Sequence, residues 1–181
     1  NVVSGISHTI KENAVSDLVI GLHRKARLTE SFYGKLSTDL LAAVERQIMI
    51  YRATIPLNTV RHLRVLLPRK VEFEPGFAHA MHRLELLAGQ ISCAVDVYSG
   101  KETLTALKAY WQGKAATLTA CYREYVSWTD FLPLAHDSRP DDLIVFVCAR
   151  RGTLSHHSYM DRLPDQIERY FSARGILLLY P

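Results

Sequence analysis

A segment that occurs twice constrains this chain more than any other feature. It reads SDLVIGLHRKARLTESFYGKL at Ser16–Leu36 and DDLIVFVCARRGTLSHHSYMDRL at Asp141–Leu163. Each copy is an acidic residue, an apolar run, a basic loop, a tyrosine near a helix start, and then a helix. A short β-like run closes each copy, IMIYR at Ile48–Arg52 and ILLLYP at Ile176–Pro181. Asp17 and Asp142 are 125 positions apart, and Ile48 and Ile176 are 128 apart. A solenoid repeat would recur every ~20–50 residues. The longer offset, with its small drift, describes a duplicated module carrying a loop insertion. Little chain precedes the first copy, so the expectation is a chain that starts inside a module, as a fragment of a longer protein.

Between the copies, hydrophobic periods of 2 and 3.6 alternate. His62–Pro68 is β-compatible. Gly76–Ala88 places Phe77, Met81, Leu84 and Ala88 on one helical face, with Gly89 as a stop. Gln90–Tyr98 reads as a strand, and Ser99 with Glu102 forms a capping box for the helix KETLTALKAYWQ, which Gly113 ends. Ala116–Glu124 is a third strand. A short helix follows, interrupted or shortened by Pro133. Asp142–Ala149 is a near-continuous apolar strand, as expected of one buried on both faces. Asp161–Ala173 is a helix that tolerates Pro164 in its first turn, and Gly175 leads into the last strand. Before the linker, Ile6–Ala14 and Thr38–Arg46 read as helices, and Asp17–Leu22 and Ile48–Arg52 as strands. Such alternation implies a parallel sheet with right-handed crossovers and helices on both faces. The expected organisation is the second half of one module at 1–52, a linker at 53–60, and a complete module at 61–181.

Composition narrows the function classes. A hydrophobic fraction of 48% with 22% charged residues is ordinary for a globular domain, and no apolar run approaches the ~18 residues of a membrane span. The N-terminus does not read as a signal peptide. The net charge of +4 is scattered in small clusters at Arg61–Arg64, Arg69–Lys70 and Arg150–Arg151. No lysine stripe interleaved with aromatics marks a nucleic-acid partner, so none is expected. Cys93, Cys121 and Cys148 are odd in number and widely spaced, which argues for buried reduced thiols rather than a disulfide framework or a metal knuckle. His79 and His82 have chelating spacing on a helix, with Glu85 the nearest carboxylate, but solvent-facing histidines are the favoured reading and no metal is expected. Ser155 beside His156 is adjacency in sequence, not a spatial triad. Asp141 and Asp142 precede a strand, where carboxylates more often end a turn than perform acid/base work. No catalytic set emerges, and the chain is not expected to be an enzyme. Trp128 and Phe131 read as core.

Five strands in this order, with a loop after the fourth that enters a helix, resemble the universal stress protein fold. The strongest local match is GISHTIKENAVSDLVIG, similar to that family's third helix and fourth strand. The resemblance implies an open five-stranded parallel sheet of order 3-2-1-4-5, Rossmann-like, with helices on both faces. The family's nucleotide loop runs Gly, two residues, Gly, nine residues, Gly-Ser/Thr. Here the equivalent positions are Gly21, Arg24, Gly34 and Lys35, so the spacing is intact while the second Gly and the Ser/Thr are replaced. Glycines in such a loop let the backbone approach phosphates, and helix N-terminal amides bind the anion. Arg24 supplies a charged donor but fills the space a glycine leaves open. In the second copy only Gly152 remains, next to Arg150, with Asp161 near the closing position, where it repels phosphate. Arg69 and Lys70 lie where the family places an aspartate for the adenine-ribose end. An adenine nucleotide is therefore the implied ligand of Gly21, Arg24, Gly34, Lys35, Arg150 and Gly152, while the departures argue for no bound cofactor.

Tandem modules with degenerate loops resemble the cytoplasmic C-terminal region of bacterial cation/proton antiporters. This resemblance implies a non-catalytic regulatory or assembly domain, tethered to the inner membrane through a membrane-embedded transporter portion. The alternative is a stand-alone nucleotide-binding stress protein that senses ATP or AMP. The apolar strands IMIYR and GILLLYP must be paired or covered. They can pair with each other in tandem, and the open edge of the half-module implies a homodimer through edge strands.

Overall fold

The computed structural model describes residues 2–22, 35–113, 118–125 and 127–181. Among these residues one seven-stranded sheet divides the molecule. In chain order the elements are α1 (Val2–Glu12), β1 (Asp17–Leu22), α2 (Lys35–Ala43), β2 (Gln47–Arg52), β3 (His62–Leu66), α3 (Phe77–Ile91), β4 (Ala94–Ser99), α4 (Lys101–Gln112), β5 (Ala120–Glu124), α5 (Leu132–Asp137), β6 (Asp142–Val147), α6 (Leu163–Phe171) and β7 (Gly175–Tyr180). The strands lie in the order β1-β2-β7-β6-β3-β4-β5. Every neighbouring pair is parallel except β2 and β7, which run antiparallel with Ile48 opposite Tyr180, Ile50 opposite Leu178 and Arg52 opposite Ile176. This corrects the expectation of an open five-stranded sheet of order 3-2-1-4-5. The strands after the linker do occupy consecutive positions, β7-β6-β3-β4-β5, but β7 is not an edge. Its free side is taken by β2, so both copies of the repeat share one sheet.

Two apolar layers follow from strand alternation. On β6, Leu143, Val145 and Val147 join the layer under α3 and α4, while Ile144 and Phe146 join the layer under α1, α2, α5 and α6. All six residues of β6 and all six of β7 are buried. That explains the unbroken apolar runs at both positions. Helix spacing supplies the matching faces: Phe77, Met81, Leu84 and Ala88 on α3, and Leu163, Ile167 and Phe171 on α6, are buried. Phe131, Phe146, Phe171 and Trp128 form a ring cluster, with Phe131 and Phe146 centroids 5.5 Å apart and Phe146 and Phe171 5.8 Å apart in edge-to-face arrangement. Trp128 and Phe131 are core, as their sequence context suggested.

Local chemistry departs from the sequence reading at several points. Helix α3 runs through Gly89 and stops at Ser92, whose left-handed backbone (φ 54°) lets its N–H reach the carbonyls of Ala88 and Gly89. The following strand accordingly starts at Ala94. Ser99 does not cap α4. Its hydroxyl donates to the Leu67 carbonyl, and Gly100 takes the cap position with no side-chain bond. Pro133 does not interrupt α5 but sits in its first turn, where the missing N–H costs nothing. Cys93 and Cys148 are buried outside the strands proper, but Cys121 on β5 is exposed. Burial pushes the Cys93 thiol up to about 11 and the Cys148 thiol up to about 12, which makes both poor nucleophiles.

Phe131 is fully buried at the centre of the ring cluster. Phe131→Ala is expected to lower the unfolding free energy by about 3–5 kcal/mol, measured by urea denaturation. A loss under 1 kcal/mol would remove the cluster from the core.

Candidate functional site

In open parallel sheets the ligand crevice lies outside the carboxyl ends of the strands, where the strand order reverses. Here that point falls between β3 and β6, flanked by the loops 67–76 and 148–157. The first loop turns on Lys70, held at φ 68°, and passes through a 3-10 turn at Val71–Phe73. Gly76 is needed next, because a Cβ there would sit 2.7 Å from the carbonyl carbon of Pro181. The second loop turns at Gly152, whose φ of 85° suits a residue without a Cβ.

The two loops are bonded to each other. The Glu74 carboxylate accepts from the Ser155 backbone N–H at 2.8 Å and from the Ser155 hydroxyl at 2.7 Å. Ser155 is completely buried. A second acid of the same loop, Glu72, accepts from the hydroxyl of Thr103, 2.8 Å away in the first turn of α4, and the Lys70 N–H donates to the same hydroxyl. Carboxylates of the chain thus occupy positions on both sides of β3 where an anion would meet N–H and O–H donors. The rim is neutralised as well: Arg151 pairs with Asp161 at 3.2 Å, and His156 lies 3.7 Å from the same carboxylate. His157 stacks on Tyr159.

Arg150 follows Ala149 beyond the end of β6, and its guanidinium is taken up by the chain's own carbonyls. It donates to the carbonyls of Leu41 (2.6 Å), Val44 (2.8 Å) and Arg46 (2.7 Å) at the end of α2, and to Pro181 (3.3 Å). A cation at a helix carboxyl end completes orphaned carbonyls and opposes the helix dipole. Burial lowers the Arg150 guanidinium from its ordinary value, against the raising effect of Tyr180 and Glu45. Arg52 does the reciprocal task. Buried at the end of β2, it pairs with Glu168 at 2.7 Å and donates to the Phe171 carbonyl, the last of α6, at 3.3 Å. Between α2 and the β6 loop remains a cleft of about 420 Å³, floored by Leu41, Cys148, Met160 and Tyr180 with Arg151 and His156 at its rim.

Of the residues singled out in sequence, Gly21 lies in β1 opposite Tyr51, with open space where a Cβ would point. Lys35 opens α2. Arg24 and Gly34 lie outside the described residues. Arg150 and Gly152 share the loop after β6, but Arg150 is engaged with α2. Ser155 was considered only beside His156, and its pairing with Glu74 was missed, although VEFEP displayed the two acids, because nothing local pairs Glu74 with a partner 81 positions away. His79 is not a free surface histidine: its Nε2 lies 2.8 Å from Asp17. Asp17 also accepts from Gln47, from Ser16 and twice from Arg83. Burial alone would raise its carboxyl, but hydrogen bonds from Arg83, Ser16 and His79, with the charge of His79, hold it below its ordinary 3.8. Asp142 does not merely end a turn. It is buried against Arg64 (2.5 Å), accepts from the Arg139 N–H, and lies 3.5 Å from His62. Tyr98 accepts from Arg64 at 2.8 Å. Burial would lower the Arg64 guanidinium, but its bonds to Asp142 and Tyr98 raise it overall. Among the described residues no group of three or more His, Cys, Asp or Glu is placed to hold a metal ion, and no helix is long and apolar enough to cross a membrane.

Comparison with solved structures shows the fold. A universal stress protein from Archaeoglobus fulgidus DSM 4304 superposes with a TM-score of 0.57 at 8% identity, covering 97% of this chain. The chain spans 64% of the length of that structure. No family model matches the sequence, and no curated protein matches it.

Arg150→Ala is expected to cost about 1.5–3 kcal/mol, the range for hydrogen bonds from a charged donor, and to speed amide exchange across α2. Unchanged exchange there would show that the clamp holds nothing. Because the Asp17 carboxyl is depressed in the fold, its contribution is present above its ordinary value and disappears as pH falls through the folded value. Asp17→Asn should destabilise at neutral pH, and the gap from wild type should close below about pH 4 when urea unfolding is followed against pH. A gap that persists undiminished in acid would show that Asp17 makes no charged contact.

Proposed function

We propose that this chain is a non-catalytic regulatory and assembly domain with a universal stress protein-like fold, serving as the cytoplasmic part of a bacterial cation/proton antiporter. One observation carries the non-catalytic, non-nucleotide reading. The donors at the carboxyl ends of β3 and β6 that would greet a phosphate are engaged by the chain's own acceptors, Glu74 on Ser155 and the α2 carbonyls on Arg150. The antiporter context rests on the resemblance of tandem, loop-degenerate modules to the C-terminal regions of such transporters. Regulation in that setting is a population shift: a ligand or partner that binds one arrangement of the modules better biases gating by its differential affinity.

A second copy of the chain is the partner this reading requires. With β7 closed by β2, β1 and β5 are the outer strands of the sheet among the described residues. Val19 on β1 is 61% exposed. An apolar edge strand invites pairing, and a homodimer through β1 satisfies it. A nucleotide-sensing stress protein is the second reading, favoured by the cleft of about 420 Å³ beside Arg151 and His156.

Thermal shift against ATP, ADP and AMP separates the two. No shift is expected for the wild-type chain, and a clear shift with one nucleotide transfers the assignment to the sensor. Sedimentation velocity at micromolar concentration should give a dimer, and a monomer removes the edge-strand partner.

A further inference from the structure

We infer that Glu74 is a resident anion that plugs an oxyanion site at the crevice, and that its displacement opens the site to a phosphate group. The inference rests on the reading above, in which the chain fills its own loop.

The geometry is that of a bound anion. One carboxylate oxygen takes both a backbone N–H and a hydroxyl hydrogen from Ser155, at 2.8 and 2.7 Å. Ser155 is completely buried, so neither donor has water as a ready substitute. Buried donors without an acceptor cost free energy. Any state in which Glu74 leaves must therefore bring another acceptor in.

Glu74 itself is free to leave, whereas its backbone is not. The loop is fixed by the Glu74 N–H on the Val71 carbonyl and the Phe77 N–H on the Glu74 carbonyl. Gly76 packs against Pro181 in a space no Cβ would fit. The side chain is half-buried and flanked by exposed Phe73 and, beside Ser155, exposed Leu154. Displacement therefore asks for movement of the side chain alone. Exposed Arg69 and Lys70 lie on the same loop as Glu72, and on the facing loop Arg151 is paired with Asp161. With the Glu74 carboxylate turned away, Arg69 and Lys70 outweigh Glu72 on this loop, which suits a phosphate.

Tethering explains why the wild-type site stays closed. An intramolecular carboxylate competes at an effective concentration in the millimolar range or above, so a free anion sees only the small fraction of molecules with the plug out. The expectation is selective. Removing the carboxylate should raise phosphate affinity without touching the donors.

The test is a titration of inorganic phosphate, by calorimetry and thermal shift, into wild type, Glu74→Ala and Glu74→Gln. Glu74→Gln keeps the volume but removes the negative charge that competes with phosphate, leaving a weaker neutral acceptor, and it carries the test if Glu74→Ala does not fold. The expected result is phosphate binding at least tenfold tighter in the variants than in wild type, with the gain reduced when Ser155→Ala is added. A variant that binds no better than wild type overturns the inference. So does a gain that survives Ser155→Ala unchanged, because the anion would then sit elsewhere. Nucleotide binding by wild type would defeat the functional reading, whereas silent variants beside a silent wild type defeat this inference alone.

Discussion

The antiparallel pairing of β2 with β7 is the interaction on which the rest of the structure depends. It joins the two copies of the repeat into one sheet and leaves neither of their apolar closing strands exposed. Ile48 and Ile50 face Tyr180 and Leu178 on one surface, and Met49 and Tyr51 face Leu179 and Leu177 on the other. Both faces of the seam thus belong to the two apolar layers. Two arginines then cross it in opposite directions. Arg150 from the second copy completes the carboxyl end of α2, and Arg52 from the first copy reaches the carboxyl end of α6. Each copy supplies the cation for the other's helix, which is a symmetric solution to the orphan carbonyls that every helix leaves.

The same economy shapes the carboxyl ends of the central strands. A fold of this type presents N–H donors there, and in this chain the donors are satisfied internally. Glu72 and Glu74, two residues apart, reach to opposite sides, one to α4 and one to the loop after β6. A different polar layer runs from the amino end of β6 across the middle of β3 and along β4. Arg64, Asp142, Tyr98 and Asp96 are buried together on one face of the sheet. A buried ion pair is weak evidence for net stability but costs several kcal/mol when only one partner is removed. The buried polar groups of the central strands thus have internal partners, set among the apolar side chains of both layers.

Periodicity located nearly every strand and helix, because burial on one face or two leaves its mark directly in the order of residues. It failed at boundaries. Gly89 looked like a stop, but only the left-handed turn at Ser92 ends α3, and that conformation follows from how the chain enters β4. Ser99 looked like a cap, but its hydroxyl is claimed by Leu67 across the sheet. The candidate site suffered more. Gly152 marks the turn after β6, yet Arg150, read as an anion ligand, is held by carbonyls over 100 positions away.

What the sequence determined by itself is the α/β class, the twofold repeat and the apolar strands at its centre, since these depend on short-range order and on burial alone. What only the tertiary structure decided is which polar group meets which. Whether Arg150, Glu74, Asp17 and Asp142 face a ligand or the chain itself depends on partners brought near by the pairing of β2 with β7 and by the reach of His79 and Arg83 on α3 to β1. Hydrogen bonds act over about 3 Å, and no local pattern encodes a contact at that distance between segments so far apart in the chain.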